Sequence, residues 1–228
     1  MDKKIETQED LTNTLLNVRK AHRLLKEYQE RILNSMFYIQ NKFAMPEVRG
    51  ERHFCNTFAT YKSGDAKLKV WKDMWSWDFL YSYEFEFYFG EDYERLKNSA
   101  FMLEDETALK DGAFALSIFQ ISDTGFYKGK TEDGNDLTGF ATVDESESLL
   151  MFVFSVKPKD EDWIWSEEFD KSKHQLIRKN EANYTVNKRF LAKTYPMEVL
   201  FNKETLDEAL TEFNTTIKDF CGVELLKK

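Results

Sequence analysis

The chain has 228 residues, of which 42% are hydrophobic, 32% charged and 15% aromatic, and 32 bases against 41 acids give a net charge of −9. A chain of this size hides about 70% of its extended surface, so a core forms without disulfide or metal staples. Three prolines and nine glycines argue against linker-like or low-complexity disorder, and the acidity argues against direct nucleic-acid binding.

The uncharged stretches Gly112–Ser122 and Ser148–Val156 fall far short of the ~18 residues of a membrane helix. The start, Met1-Asp2-Lys3-Lys4-Ile5-Glu6, lacks the apolar run of a secretory signal. With Cys55 and Cys221 as the only cysteines, a disulfide framework is not expected. These features together predict a single-domain cytoplasmic protein with no membrane association.

The first predicted element is the clearest. Leu11, Leu15, Val18, His22, Leu25, Gln29, Ile32, Met36, Ile39 and Phe43 alternate at spacings of four and three, an unbroken a/d register. Asp10 or Thr12 is the expected cap and Pro46 the stop. The span 1–45 is therefore read as a long amphipathic helix of roughly 30–35 helical residues, about 50 Å at 1.5 Å per residue. Leu16, Leu24 and Leu33 widen the stripe. Two readings fit: a helix lying across its own sheet, with His22 as a core histidine, or a helix that dimerises or binds a partner.

After Pro46 the period becomes two. Odd positions from Trp71 to Phe89 are mostly aromatic, and even ones include Lys72, Asp78, Glu84 and Glu86. This predicts strand with one buried and one wet face, broken by a bulge or turn near Asp73–Asp78 because the run exceeds an ordinary strand. Gly90 ends it, and 91–98 reads as a short helix. Further strands are expected at Ala113–Ile121, Leu137–Val143 and Leu149–Val156, with hairpin chemistry at Asp123-Thr124-Gly125 and Asp133-Gly134-Asn135. Residues 184–201 read as partly extended, interrupted at Pro196.

The last element, 202–221, is a helix with Leu206, Leu210, Phe213, Ile217 and Phe220 on one stripe, capped by Asn202 and closed by Gly222. Strands that succeed one another without intervening helices predict an α+β fold: a mainly antiparallel sheet in the body 50–201, one face covered by the N- and C-terminal helices.

The chemistry-bearing motifs are sparse. Gly125–Thr131 has three residues between its glycines where a P-loop needs four, and no helix can follow; it reads as a hairpin tip. His22, His53 and His174 do not pair at metal-ligand spacing, so neither a metal site nor a cofactor is expected. His53 and Cys55 share a strand face, but neighbours two apart are too distant for a nucleophile–base contact. Asp65-Ala66-Lys67 offers a nuclease-like fragment without a partner acid. Glu84 and Glu86 share a face, where paired carboxylates serve acid–base or cation chemistry, although a solvated face is their ordinary setting.

Charge is segregated. Residues 144–170 hold nine acids and two bases, and 171–203 hold eight bases and two acids. Within the acidic stretch, Asp160, Glu161, Asp162, Glu167 and Glu168 frame Trp163 and Trp165. Rigid aromatics beside like charge are apt interface material, so these seven residues are the candidate partner-binding set.

The expected function is that of a non-catalytic interaction or regulatory protein, inhibitor-, immunity- or anti-defence-like by analogy of class. Its acidic surface would engage a basic protein, and a homodimer would form through the Leu11–Phe43 helix. The alternative is a small-molecule binder or enzyme whose aromatic-lined pocket uses Glu84 or Glu86 as its polar element.

Overall fold

The computed structural model describes residues 7–43, 45, 49–50, 68–69, 84–90, 113–125, 130–131, 134–135, 141–156, 183–186, 190–200 and 202–226. The architecture is α+β, as expected. Helix α1 (Gln8–Lys42) precedes the strands β1 (Arg49–Gly50), β2 (Leu68–Lys69), β3 (Glu84–Gly90), β4 (Phe114–Ile121), β5 (Lys130–Thr131), β6 (Gly134–Asn135), β7 (Leu149–Val156), β8 (Asn183–Val186) and β9 (Phe190–Pro196), and α2 (Lys203–Cys221) follows them. Among the described strands the main sheet runs β2-β1-β3-β4-β7-β9-β8, and every pairing is antiparallel.

The register stacks matching side chains across the sheet. Phe87 pairs with Ile118, Ile118 with Phe152, and Phe152 with Lys193. Side chains alternate faces along a strand, so one face carries Phe85, Phe87, Phe89, Leu116, Ile118, Phe152 and Phe154. These join Ile32, Met36 and Ile39 of α1 and Leu210, Phe213 and Ile217 of α2 in one buried core. Phe152 sits at its centre, edge-on to Tyr195 at 5.3 Å and to Phe213 at 5.2 Å, separations at which the ring quadrupoles attract. Both helices thus cover the same face.

The other face is closed to solvent too. Glu84, Glu86, Tyr88, Ser117, Phe119, Met151, Val153, Ser155 and Phe190 are all buried. This corrects the expectation of a wet face carrying Glu84 and Glu86. β7, Leu-Leu-Met-Phe-Val-Phe-Ser-Val, is the near-continuous apolar run that two-sided burial demands.

Local chemistry explains the helix ends. Thr7, not Asp10 or Thr12, caps α1. Its hydroxyl accepts from the Asp10 amide at 3.1 Å, and the Asp10 carboxylate accepts from the Thr7 amide at 3.0 Å, a reciprocal box. The helix ends at Lys42, upstream of Pro46. α2 is capped as expected by Asn202, whose side chain accepts from the Thr205 amide at 2.9 Å, and it is closed by Gly222 at φ 78°. That left-handed conformation is one glycine adopts without steric cost.

Strands β4 and β7 fall where the sequence places strands, and β9 ends at Pro196. Three details differ. Val143–Glu145 is a 3-10 turn rather than the end of a strand. The short hairpin is β5–β6, so Lys130 and Thr131 are strand rather than hairpin tip. Asp123-Thr124-Gly125 closes β4 through an Asx turn, with the Gly125 amide donating to Asp123 Oδ1 at 2.8 Å, and the Thr124 and Glu147 residues tie that turn to the start of β7. The expected strand around 71–83 and helix 91–98 lie outside the described residues.

Candidate functional site

The unusual feature of the molecule is the division of α1. Its 35 residues span about 52 Å at 1.5 Å per residue. From Gln29 onward the a/d stripe is core: Ile32, Met36, Ile39 and Phe43 are buried. Before that point the same stripe faces water. Every residue from Gln8 to Ala21 is exposed, and Leu11, Leu15, Leu16, Val18, Leu24 and Leu25 are between 37% and 68% exposed. Half of the helix therefore packs on the sheet, and half extends as an arm with an apolar face. His22 lies on the arm, half-buried, and not in the sheet-facing core.

Polar bonds fasten the helix where the arm meets the body. Tyr28 Oη lies 2.9 Å from Ser122 Oγ, and Gln120 Nε2 donates to Gln29 Oε1 at 3.2 Å and to Ser122 Oγ at 2.9 Å. Burial raises the Tyr28 phenol, against the lowering effect of Ser122. Gln120 Oε1 is buried without a hydrogen-bond partner. At the far end Tyr38 Oη donates to Asp207 Oδ1 at 2.7 Å, and Lys42 Nζ lies 3.1 Å from the same carboxylate. The Tyr38 bond, then Lys42, holds the Asp207 carboxyl below its ordinary value. The arm is thus continuous with a helix pinned at both ends of its buried half.

A second polar cluster lies inside the sheet. Glu86 is fully buried, and Ser117 Oγ donates to its Oε1 at 2.5 Å. Glu84, Tyr88 and Ser155 share that buried face. The register explains the meeting, because Tyr88 pairs with Ser117 and places Glu86 one diagonal away. Burying a carboxylate is costly unless it is bonded, so this cluster is a specified feature of the sheet.

Two grooves are lined by described residues. One, of about 430 Å³, lies between α1 and the start of α2 and includes Arg31, Tyr38, Asn202 and Lys203. The other, of about 500 Å³, is walled by Glu198, Glu208 and Glu212 around Tyr195. There Lys193, itself buried, pairs with Glu212 at 2.7 Å, and the Tyr195 phenol is raised by burial and by Glu212. Neither groove includes Glu84 or Glu86. Burial also raises the Cys221 thiol, the opposite of an activated nucleophile. Among the described residues no group of three or more His, Cys, Asp or Glu could hold a metal ion, and no helix is long and apolar enough to cross a membrane.

The acidic–aromatic set Asp160, Glu161, Asp162, Trp163, Trp165, Glu167 and Glu168 lies outside the described residues, as do His53, Cys55 and the Asp65–Lys67 fragment. Of the sequence candidates the structure brings together only Glu84 and Glu86, in the interior. Sequence reasoning missed the Gln29–Gln120 and Lys193–Glu212 pairs. Gln29 stands at an a position of the heptad, a polar intrusion that signals a specific partner.

No curated protein and no solved structure matches the chain. One family model, PM0109, matches residues 8–220, from the first residue of α1 to the last turn of α2. The chain, with its two-sided buried sheet and half-packed first helix, belongs to the PM0109 family.

Proposed function

We propose that this protein works by binding other proteins and not by catalysis. The observation that carries the reading is the arm of α1, where Leu11, Leu15, Val18 and Leu25 stand 37–49% exposed on a stripe whose continuation is core. A contiguous exposed apolar stripe is characteristic of an interaction surface. The acidic–aromatic stretch Asp160–Glu168 supplies a second contact, suited to a basic protein partner. An inhibitor-, immunity- or anti-defence-like role fits that combination. The test is affinity enrichment with the full chain and with an Asp160→Lys/Glu161→Lys/Asp162→Lys variant. A basic protein retained by the first in a salt-sensitive manner, and lost from the second, is the expected result. Retention that ignores both salt and the reversal would overturn the reading.

A second reading, a pocket protein with Glu84 and Glu86 as its polar element, rests on the two carboxylates sharing one buried face and not on either described groove, neither of which they line. It predicts a ligand-induced rise in melting temperature that the triple reversal leaves unchanged.

A further inference from the structure

We infer that the groove between the end of β9 and α2 docks a lysine- or arginine-bearing segment of a basic protein. The inference names a further contact for the interaction reading above and rests on it.

The groove, of about 500 Å³, has the size and make-up of a binding site, an apolar lining with a few polar groups set in it. Tyr195, Val199 and Ala209 supply the apolar lining. Glu198 enters from the 3-10 turn Met197–Leu200, and Glu208 and Glu212 enter from α2.

The charges in this groove are not balanced by the chain itself. Glu208 and Glu212 stand four apart, neighbours on one helix face, where like charges repel. Lys193 answers one of them. It pairs with Glu212 at 2.7 Å, and its Nζ lies 5.3 Å from the centre of the Tyr195 ring. The groove thus already seats one ammonium between a carboxylate and an aromatic face, a favourable setting for a cation. Among the described residues Glu198 and Glu208 make no ion pair or hydrogen bond. Two negative charges are left over in a concave site with apolar walls, which focuses their field. The complement is a cation on an apolar stem, the form of a lysine or arginine side chain.

The acidity also continues beyond the groove, and this selects a protein segment as the occupant. Glu208, Glu212 and Asp219 are exposed and share one stripe of α2, at spacings of four and seven. Asp219 lies about 10 Å beyond Glu212 at 1.5 Å per residue, and among the described residues it too makes no ion pair. A small cation would meet the groove alone. A chain carrying several basic side chains meets the groove and the stripe together.

The test is an NMR titration of the ¹⁵N-labelled full-length chain with N-acetyl-hexalysine at about 0.15 M salt, where exposed charges more than about 8 Å away are screened. Amides of 196–199 and 205–212 are expected to shift first. Glu198→Gln/Glu208→Gln should weaken binding about 10-fold. Glu27→Gln/Asp144→Asn removes the same charge outside this groove and should leave binding within about twofold. All four positions are exposed, so both variants should melt as wild type. Shifts spread evenly over the exposed acids, equal weakening by the two variants, or no shift at about 1 mM peptide overturns the inference. None of these outcomes touches the protein-binding reading, which fails instead if retention in the enrichment ignores both salt and the triple acidic reversal.

Discussion

Met36 and Leu15 occupy the same heptad position of one helix, three heptads apart, so truncating each to alanine isolates what the body contributes. Met36 is fully buried between α1, the sheet and α2, whereas Leu15 is 48% exposed. Deleting a buried Met, Leu or Ile side chain costs ~2–5 kcal/mol, lost transfer energy plus the cavity left behind. The tight surroundings of Met36, with Ile32 and Ile39 also buried on the same stripe, leave little room for collapse, so about 3 kcal/mol is expected.

Leu15, at 48% exposure, lies outside the buried core. Its loss removes little buried area, and alanine's better helix propensity offsets part of that, leaving a change within ~0.5 kcal/mol. Urea unfolding followed by tryptophan fluorescence, at concentrations too low for association, reads both. At 150–250 residues 1 kcal/mol moves the melting midpoint by ~2–4 °C, so Met36→Ala should melt roughly 6–12 °C lower and Leu15→Ala near wild type. Equal losses at the two sites would mean that the first half of α1 packs on the body, and the division of the helix would be wrong.

Three further outcomes follow from the polar contacts. Ser117→Ala removes a donor to the buried Glu86 carboxylate; hydrogen bonds to charged groups are worth ~1.5–3 kcal/mol, so thermal melting should fall by a few degrees or more, and an unchanged midpoint would show that the bond contributes nothing. Gln120→Leu strands the buried Gln29 amide and should cost about 1–3 kcal/mol, yet Gln29→Leu/Gln120→Leu should recover most of it, because Gln120 Oε1 has no partner to lose; additive losses in that double-mutant cycle would contradict the pairing. Asp207, held below the ordinary carboxylate value of 3.8 by Tyr38 and Lys42, stabilises the fold when ionised. Its contribution is complete above the unfolded value and is lost as the pH falls through the lower folded value, so Asp207→Asn should melt below wild type at neutral pH and converge with it in strong acid.

Much of the fold was legible because local rules and global packing agree. β7 reads as a strand from its apolar run, α2 from its stripe, its Asn202 cap and the Gly222 stop, and the antiparallel sheet from strands succeeding one another without helices. The cap of α1 was misplaced by a few residues because Thr7, Asp10 and Thr12 all carry capping chemistry, and the choice depends on which amide each side chain reaches. The bond from Gln29 to Gln120 was not legible, since residues 91 apart in sequence are paired only by the sheet order.

The misread face of β3 and the unread division of α1 have a common cause. A period of two states which residues of β3 share a face, and it correctly groups Glu84 with Glu86, but it is silent on what lies above that face. The inference from charge to solvent failed because Ser117, delivered by the register of β4, satisfies Glu86 in the interior. In α1 a continuous heptad states that Leu11 and Met36 share a stripe, but not where the body beneath the stripe ends. Periodicity fixes direction, and burial is decided by neighbours distant in sequence. A buried carboxylate and an exposed leucine stripe both run against the cost of their surroundings, and sequences keep such conflicts mainly where they serve a purpose. The face carrying Glu86 and the arm carrying Leu11–Leu25 are for that reason the two places where the activity of this chain is to be sought, and the arm, being the one open to a partner, comes first.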